Sequence, residues 1–266
     1  LVGVLKGRLP ALPFFVVPST SGTGSEASVA AVISDSSTHV KALVVDPGLV
    51  PLAAALDPLI TQGMPASVTA ETGIDALTHA LEGWMSLFAN AQTDGYNRTA
   101  VRLILNNLET ACTEPNNLAA RDAMALGSHY AGLCLSTSAV GYVHAIAHQL
   151  GARYGVPHGR ANAMVLPHVL AFNHPACLKK LASLSRDLEL APAGATDTVA
   201  ANALSTRVSD LLARLPIRRS GSMIQRSDYA RMATDALTEA HGMYAVPRYM
   251  DEQDVYRVLD GVAASA

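Results

Sequence analysis

The chain has 266 residues, of which half are hydrophobic and 15% are charged, and its net charge is −3. This composition, with a mean hydropathy of +0.23, is typical of a globular protein with a large buried core and argues against disorder. A slightly acidic chain with scattered Lys and Arg residues offers no basic surface for nucleic acid or for an anionic membrane. We therefore expect neither partner.

The cysteines and the N-terminus bear on the compartment. Cys112, Cys134 and Cys177 are odd in number and widely spaced, which predicts buried thiols in a reducing, cytoplasmic compartment. No apolar run approaches the roughly 20 residues needed to span a bilayer. Lys6 and Arg8 follow the first apolar residues, which is the wrong order for a signal peptide. Because the sequence starts with a leucine, we expect it to be a fragment of a longer protein.

The first sixty residues predict β-strands. "LPFFVVPS" (12–19) is a short apolar run that predicts a buried strand. The segments "ASVAAVISD" and "HVKALVVD" flank "SSTH" and predict the two arms of a hairpin. A further strand is predicted in "LAAALD" (52–57). Because so few strands make a poor sheet, we interpret them as the remaining edge of an α/β domain.

From Met64 onward, apolar residues recur at helical spacing. The segments with this spacing are "PASVTAETGIDALTHALEGWMS", "TDGYNRTAVRLILNNLETAC", "RDAMALGSHYAGLCLSTS", "GYVHAIAHQLGARYG", "RANAMVLPHVLAFN", residues 175–188, 196–215 and 227–240, and "DEQDVYRVLDGVA". Helix breakers separate them at Pro115, 155–157, Pro192 and Pro216. The sequence therefore predicts a small strand-containing piece at 1–62 and a large all-helical domain at 63–266.

Two pairs of residues with helical spacing predict metal chemistry. Asp75 and His79 are four residues apart, so both project from one helix face, where they can chelate a divalent ion. Taken alone, an Asp and a His at this spacing are more often a carboxylate near a helix N-terminus and a surface histidine than a metal site. His144 and His148 have the same spacing in "HAIAHQLG", where buried imidazoles are costly unless each is hydrogen-bonded or coordinated. His158 lies in the turn after this helix, from which it can fold back toward His144.

Together these side chains predict a metal site between the two helices. One carboxylate oxygen and three imidazole nitrogens would hold Fe²⁺, Zn²⁺, Co²⁺ or Mn²⁺ and leave a position open for substrate. The lack of a thiolate in the set argues against a closed structural zinc site. A metal-dependent hydrolase would need a carboxylate base, and Glu71 and Glu82 are the nearest candidates. We expect both to be helix-surface or capping residues.

The segment "PSTSGTGSEAS" (18–28) directly follows the first predicted strand. Its glycines let backbone N–H groups approach a ligand, and its hydroxyl groups belong to Ser19, Thr20, Ser21 and Thr23. The segment matches neither the Walker A pattern nor the GxGxxG fingerprint. An ordinary loop between strands and a cofactor-binding loop are equally compatible with this stretch.

Three segments resemble the iron-containing (group III) alcohol dehydrogenase family: "PSTSGTGSEAS", "GMPASVTAETGIDALTHALEG" and "GYVHAIAHQLGARYGVPHGRANAMVLPHVLAFN". The resemblance implies a mainly α chain of dehydroquinate synthase-like architecture. In that architecture an all-helical metal-binding domain follows an α/β nucleotide-binding domain, and the metal lies in the cleft between them. The glycine-rich turn that holds the cofactor pyrophosphate in the family has no counterpart here. Most of the nucleotide-binding domain is therefore missing by comparison.

The resemblance also implies roles for individual residues. The metal ligands would be Asp75, His79, His144 and His158. His148 would lie beside the nicotinamide and the substrate as a catalytic residue that relays a proton. Further cofactor contacts would come from Ser19, Thr20, Thr23 and Lys41. His168 is expected to be structural. No companions are expected for His39, His129, His174 and His241.

The implied function is reversible hydride transfer between a primary or secondary alcohol and NAD or NADP, with Fe²⁺ or else Zn²⁺ polarising the substrate oxygen. Besides a small alcohol or aldehyde, the expected partner is another copy of the chain, in a homodimer or higher homo-oligomer. Two alternatives are an inactive metal-binding helical remnant without cofactor binding and a same-fold maleylacetate reductase-like enzyme. Asp75 favours the alcohol dehydrogenase, because we expect maleylacetate reductases to differ at this position.

Overall fold

The computed structural model describes residues 3–6, 12–34 and 41–265, without the side chains of residues 32, 34 and 41–43. The described strands are β1 (Gly3–Val4), β2 (Phe15–Val16), β3 (Ala30–Ser34), β4 (Lys41–Val45) and β5 (Ala53–Ala54). β3 and β4 pair antiparallel, from Ala30 opposite Val45 to Ser34 opposite Lys41, and β1 joins β4 in parallel. The predicted hairpin is confirmed.

The prediction of a buried strand over residues 12–19 is wrong. β2 has only two residues, pairs in parallel with β5, and leaves the side chains of Leu12 and Phe15 86% and 72% exposed. An apolar run predicts burial, but burial also requires a second layer, and none of the described elements covers this side of β2. The strand predicted at 52–57 is likewise reduced to the two residues of β5.

Most of the chain is helical, as predicted. The helices are α1 (Pro58–Thr61), α2 (Ala66–Met85), α3 (Ala91–Thr113), α4 (Leu118–Ser138), α5 (Tyr142–Tyr154), α6 (His158–Asp187), α7 (Asp197–Arg214), α8 (Tyr229–Met243) and α9 (Glu252–Ala263). Short 3₁₀ turns lie at Ser25–Ala27, Pro47–Leu49 and Arg226–Asp228. The domain boundary between residues 62 and 63 stays a prediction. The three cysteines are buried and free, which confirms their predicted state.

α6 is one 30-residue helix, whereas the sequence predicted separate helices at 160–173 and 175–188. It continues through Pro167 and Pro175, each of which removes one backbone hydrogen bond. Packing explains the continuity, because α6 lies against α2, α5, α7 and α9 and buries Leu166, Leu170 and Leu181. Tertiary burial therefore outweighs the local preference for a break.

α2 and α5 form the frame of the site. α2 buries Ile74, Leu77 and Leu81 completely and packs against α3, α4 and α6. α5 ends at Gly155, whose φ of 66° is left-handed and suits a glycine at a helix terminus. The chain then turns at once into α6. This tight turn places the N-terminus of α6 beside the polar residues of α5.

His168 packs against α9 where Gly261 leaves room for its ring, so its predicted structural role has a physical basis. Burial, and secondarily the charge of Arg219, lowers the pKa of His168 below 6.5. The unfolded chain thus takes up a proton that the folded chain excludes. The stability contributed by the neutral ring is present above about pH 6.5 and is lost as pH falls through the folded pKa.

We expect the free energy of unfolding to decrease less steeply with acidification in His168→Gln than in the unaltered chain. Urea unfolding at neutral and mildly acidic pH measures both slopes. Identical slopes would contradict the assignment of a neutral, partly buried imidazole. Comparing the two proteins cancels the contributions of the other titratable groups.

Candidate metal centre and active site

Four side chains from three helices converge on one point. α2 provides Asp75 and His79, α5 provides His144, and α6 provides His158 as its first residue. One donor atom from each residue lies within 4.8 Å of all the others. The sequence placed His158 in a turn. That expectation is corrected by one position, because Pro157 caps the helix and His158 begins it.

The geometry of the cluster fits a single divalent ion. Asp75 Oδ1 lies 3.6 Å from His79 Nε2, 3.4 Å from His144 Nε2 and 3.2 Å from His158 Nε2. Donor atoms about 2.1 Å from a shared tetrahedral ion would be about 3.4 Å apart. The observed separations agree with that value. A carboxylate with three imidazoles is also a donor set that first-row divalent metals accept.

Burial sets the protonation of these groups. Burial alone would raise the pKa of Asp75, but the neighbouring imidazoles, His79 first, hold it well below 3.8. Burial also lowers the pKa of His79 to about 3. Asp75 is therefore ionised and His79 neutral, which are the forms that bind a metal.

His144 is held from behind by Glu82 of α2. Glu82 is 4% exposed, and its Oε2 accepts a hydrogen bond from His144 Nδ1 at 2.6 Å, while its Oε1 accepts one from the Val143 N–H at 2.7 Å. Burial lowers the pKa of His144, but Glu82 and Asp75 outweigh it and raise that pKa to about 9. The Glu82 contact leaves Nε2 of His144 directed at Asp75, as in the carboxylate–histidine pairs that orient metal ligands.

Asn162, one turn after His158 on α6, completes the polar centre. Its side-chain nitrogen donates to Asp75 Oδ1 at 2.7 Å. The same nitrogen lies 3.3 Å from His144 Nε2 and 3.4 Å from His158 Nε2. The buried amide therefore touches three of the four donor atoms, and it fixes the position of the Asp75 carboxylate.

His148 lies at the edge of this cluster and outside the set of four donor atoms. Its ring stacks on that of His158, with centroids 5.3 Å apart, and meets the ring of His144 edge-on at 6.0 Å. Its Nδ1 is 2.7 Å from Glu239 Oε1 on α8, and its side chain is 38% exposed. A half-buried imidazole beside a buried ion site is placed to contact a substrate.

The polar loop 18–28 is seated on α2 and α4. Gly24 has a φ of 59°, and a Cβ on it would lie 2.5 Å from Gly132 Cα of α4. A Cβ on Gly22 would lie 2.6 Å from Thr72 Cβ, about one turn before Asp75 on α2. Buried Glu26 reaches α4 as well. The loop therefore lies directly against the backbone of α4 and against that of α2, which carries Asp75 and His79.

The predicted cofactor contacts are placed as follows. Ser19 and Thr23 are exposed and Thr20 is half-buried, so hydroxyl groups of the loop are accessible. Lys41 lies in β4, and its side chain lies outside the described part of the structure. A cofactor role for these residues stays a prediction.

Two histidines have partners that the sequence did not predict. His129 Nδ1 is 3.3 Å from Glu26 Oε1, which ties the polar loop to α4. His241 Nε2 is 2.7 Å from the Tyr142 hydroxyl, which also accepts the Met250 N–H. These partners lie more than 90 residues away in the sequence, so no local pattern shows them. His39 lies outside the described residues.

Two family models match the chain. The model described as Fe-containing alcohol dehydrogenase family, C-terminal, matches residues 69–262, and the model described as iron-containing alcohol dehydrogenase matches residues 3–58. The chain belongs to the iron-containing alcohol dehydrogenase family. The family resemblance of the three sequence segments is thereby confirmed.

Individual relatives agree with the family assignment. The chain is 38% identical to 1,3-propanediol dehydrogenase of Klebsiella pneumoniae over 262 residues, which cover 97% of this chain and 66% of the relative. The crystal structure of a 1,3-propanediol oxidoreductase matches with a TM-score of 0.92 at 35% identity, covering 98% of this chain and 69% of that one. This chain thus spans about two thirds of the length of that curated relative.

A third match includes a cofactor. Sulfoacetaldehyde reductase of Bifidobacterium kashiwanohense, solved in complex with NAD⁺, matches with a TM-score of 0.87 at 26% identity. The match covers 96% of this chain and 66% of that one.

Sequence reasoning missed three residues of this family member's site. Glu82 was expected at a helix surface or cap, and that expectation is wrong because α5 packs across it. A signal was available, since Asp75, His79 and Glu82 follow one another at i, i+4 and i+7 on one face of α2. Asn162 repeats the spacing, four residues after His158. Glu239 follows no pattern shared with the cluster.

The contact between Gly24 and Gly132 makes a testable prediction. A Cβ at position 132 would lie 2.5 Å from Gly24 O, so Gly132→Ala must displace the polar loop from α4. We expect overpacking to lower the free energy of unfolding by about 1–3 kcal/mol, measured by urea unfolding. Gly95→Ala in α3, where nothing lies within 4 Å of the added Cβ, is the matched control. Equal stabilities of the two variants would contradict the contact.

Proposed function

We propose that this chain belongs to an enzyme that transfers a hydride between a primary or secondary alcohol and NAD or NADP at a divalent metal centre. The observation that carries the proposal is the convergence of donor atoms from Asp75, His79, His144 and His158 within 4.8 Å. The relative described as 1,3-propanediol dehydrogenase supports an alcohol substrate. The related reductase solved with NAD⁺ supports a nicotinamide cofactor.

The four donor residues fit Fe²⁺, as the family description suggests, and they fit Zn²⁺ equally well by donor type. A divalent ion there would supply Lewis acidity toward the oxygen of the alcohol or carbonyl substrate. Asp75 contributes the negative charge of the set, while the three imidazoles contribute none when neutral. Glu82 and Asn162 hold His144 and Asp75 in place for that task.

Residues around the metal centre transfer the proton and bind the cofactor. The half-buried ring of His148 takes the proton from the substrate hydroxyl, or returns it in the reverse direction, because it lies beside the cluster without belonging to it. Ser19, Thr20 and Thr23 hydrogen-bond the cofactor from the loop seated on α2 and α4, and Lys41 adds a further contact. The cofactor itself carries the hydride, so the protein supplies orientation and electrostatics.

Elemental analysis of the purified chain, combined with an NAD- and NADP-linked activity screen on short alcohols and aldehydes, tests the proposal. We expect about one equivalent of Fe²⁺ or Zn²⁺ per chain and cofactor-dependent turnover. Stoichiometric metal without binding of either nicotinamide would favour the inactive helical remnant instead.

His148→Ala separates the two roles of the histidine cluster. We expect this variant to retain its metal and to lose about 100-fold or more in kcat, because a proton-transferring group typically contributes that much. Metal content and steady-state kinetics measure the two quantities on one sample. Loss of the metal from His148→Ala would contradict the division between ligands and proton relay.

The alternatives are not favoured. A hydrolase needs a free carboxylate to activate water, but Glu82 is engaged by His144 and Val143, and Glu71 accepts a hydrogen bond from Arg160 at 2.8 Å. The relatives named above favour neither the inactive remnant nor the maleylacetate reductase-like enzyme.

None of the described helices has the length and apolarity to cross a membrane. Assembly into a homo-oligomer and a cytoplasmic location stay predictions.

A further inference from the structure

Glu239 of α8 joins two side chains beside the candidate active site. Its Oε1 is 2.7 Å from His148 Nδ1, and the same oxygen accepts a hydrogen bond from the hydroxyl of Tyr244. Burial, and next the charge of Glu239, raises the pKa of Tyr244, so the tyrosine stays protonated and donates to the carboxylate. Glu239 is therefore an acceptor toward both partners.

An acceptor at Nδ1 determines how the proton is distributed on the His148 ring. A neutral imidazole carries one N–H, and a carboxylate opposite Nδ1 places that hydrogen on Nδ1. The opposite nitrogen, Nε2, then bears a free lone pair. Among the described residues no hydrogen bond reaches Nε2, and the ring stacks at 5.3 Å on His158. Nε2 is thus the ring atom left free for a substrate proton.

Two histidines of α5 each have a carboxylate opposite Nδ1. Glu82 of α2 accepts from His144 Nδ1 on one side, and Glu239 of α8 accepts from His148 Nδ1 on the other. In the first pair the opposite ring nitrogen, Nε2 of His144, points at the donor set. By the same chemistry, the second pair prepares a ring nitrogen for proton exchange.

We propose that Glu239, supported by Tyr244, is a positioning residue that fixes the ring orientation and the Nδ1–H tautomer of His148. The proposal rests on the proposed function, in which His148 exchanges the proton with substrate. It adds that a carboxylate from a separate helix decides which nitrogen does so. Glu239 itself touches no substrate.

The decisive comparison is Glu239→Gln against Glu239→Asp. The atom that takes the place of Oε1 in the glutamine faces both His148 and Tyr244. It is either an amide nitrogen, which donates to His148 Nδ1 and favours the wrong tautomer, or an amide oxygen, which accepts without the charge of a carboxylate. The aspartate keeps a carboxylate, which can only accept, on a side chain one methylene shorter. Asp235→Asn, one turn earlier on α8, is the matched control, because the ion pair that Asp235 forms within the described part of the chain is with exposed Arg231.

Two measurements test the proposal. The first is ¹⁵N NMR of the imidazoles in the Zn²⁺-supplemented chain at alkaline pH, where an ordinary imidazole is neutral. We expect the Nδ1–H tautomer of His148 in the unaltered chain, in Glu239→Asp and in Asp235→Asn, and a mixture or the Nε2–H tautomer in Glu239→Gln. The second is kinetics, where Glu239→Gln should lose about 10- to 100-fold in kcat with KM and metal content nearly unchanged.

Three results would overturn the proposal: an unchanged His148 tautomer in Glu239→Gln, an equal change in Asp235→Asn, or loss of the metal together with the rate in Glu239→Gln. The NMR measurement needs no turnover. If the unaltered chain oxidised no alcohol, the proposed function would fail, and the tautomer would still decide whether Glu239 positions His148.

Discussion

Replacing His158 by alanine is expected to lower the affinity of the chain for a divalent ion by about 100- to 1000-fold. Four-ligand zinc sites contribute about 10–16 kcal/mol, so each ligand accounts for roughly 2.5–4 kcal/mol. His158 Nε2 is 3.2 Å from Asp75 Oδ1, and its loss leaves a three-donor set. Turnover should disappear with the ion.

Removing His158 should disturb the fold least among the four ligands, because its side chain is 36% exposed. The side chains of the other three ligands are at most 7% exposed. Titration with Zn²⁺ followed by calorimetry measures the affinity, and circular dichroism reports the fold. The matched control is His174→Ala, a histidine on the same helix and away from the cluster. An ion bound equally tightly by His158→Ala and by the unaltered chain would remove His158 from the ligand set.

Glu82→Ala is expected to lower the free energy of unfolding of the metal-free chain by about 3–5 kcal/mol at neutral pH. The pKa of His144 is raised to about 9 in the folded chain, so its imidazole is protonated there. Removing Glu82 would leave the buried His144 cation with Asp75 alone, 3.4 Å away, and the buried Val143 N–H without an acceptor. Both losses fall among the largest that a single substitution produces.

Urea unfolding after chelation measures this change. Glu82→Gln should lose less, because its amide oxygen can still accept one of the two hydrogen bonds. Glu109→Ala is the control, since Glu109 forms an exposed ion pair with Arg214 and should lose at most about 1 kcal/mol. If Glu82→Ala were no less stable than Glu109→Ala, the buried pair would not support the site.

The donor residues could be predicted because their positions follow helix periodicity. Asp75 and His79 share a face of α2, and family resemblance distinguished His144 from His148, which spacing alone could not. The supporting residues Glu82 and Glu239 were not predicted, and the reasons differ. Glu82 lies on the predicted face but resembles a surface residue until α5 covers it, and Glu239 meets His148 only through the packing of α8 on α5.

Local patterns also failed where burial is decided at long range. The apolar stretch around Phe15 predicts a buried strand, but sequence alone does not say which element lies over it. Conversely, the break predicted between residues 173 and 175 is one that the packed faces of α6 override. The helical class was predictable because long periodic segments carry the signal many times.

The four donor atoms come from three separate helices, and this has a thermodynamic consequence. Residues 75 and 158 are far apart along an unfolded chain, so the complete site exists only after folding. An ion that recognises the native form alone shifts the folding equilibrium by mass action, by about 2.7 kcal/mol at a free concentration of one hundred times Kd. The melting temperature of the protein therefore rises with the concentration of free ion, and a chelator lowers it.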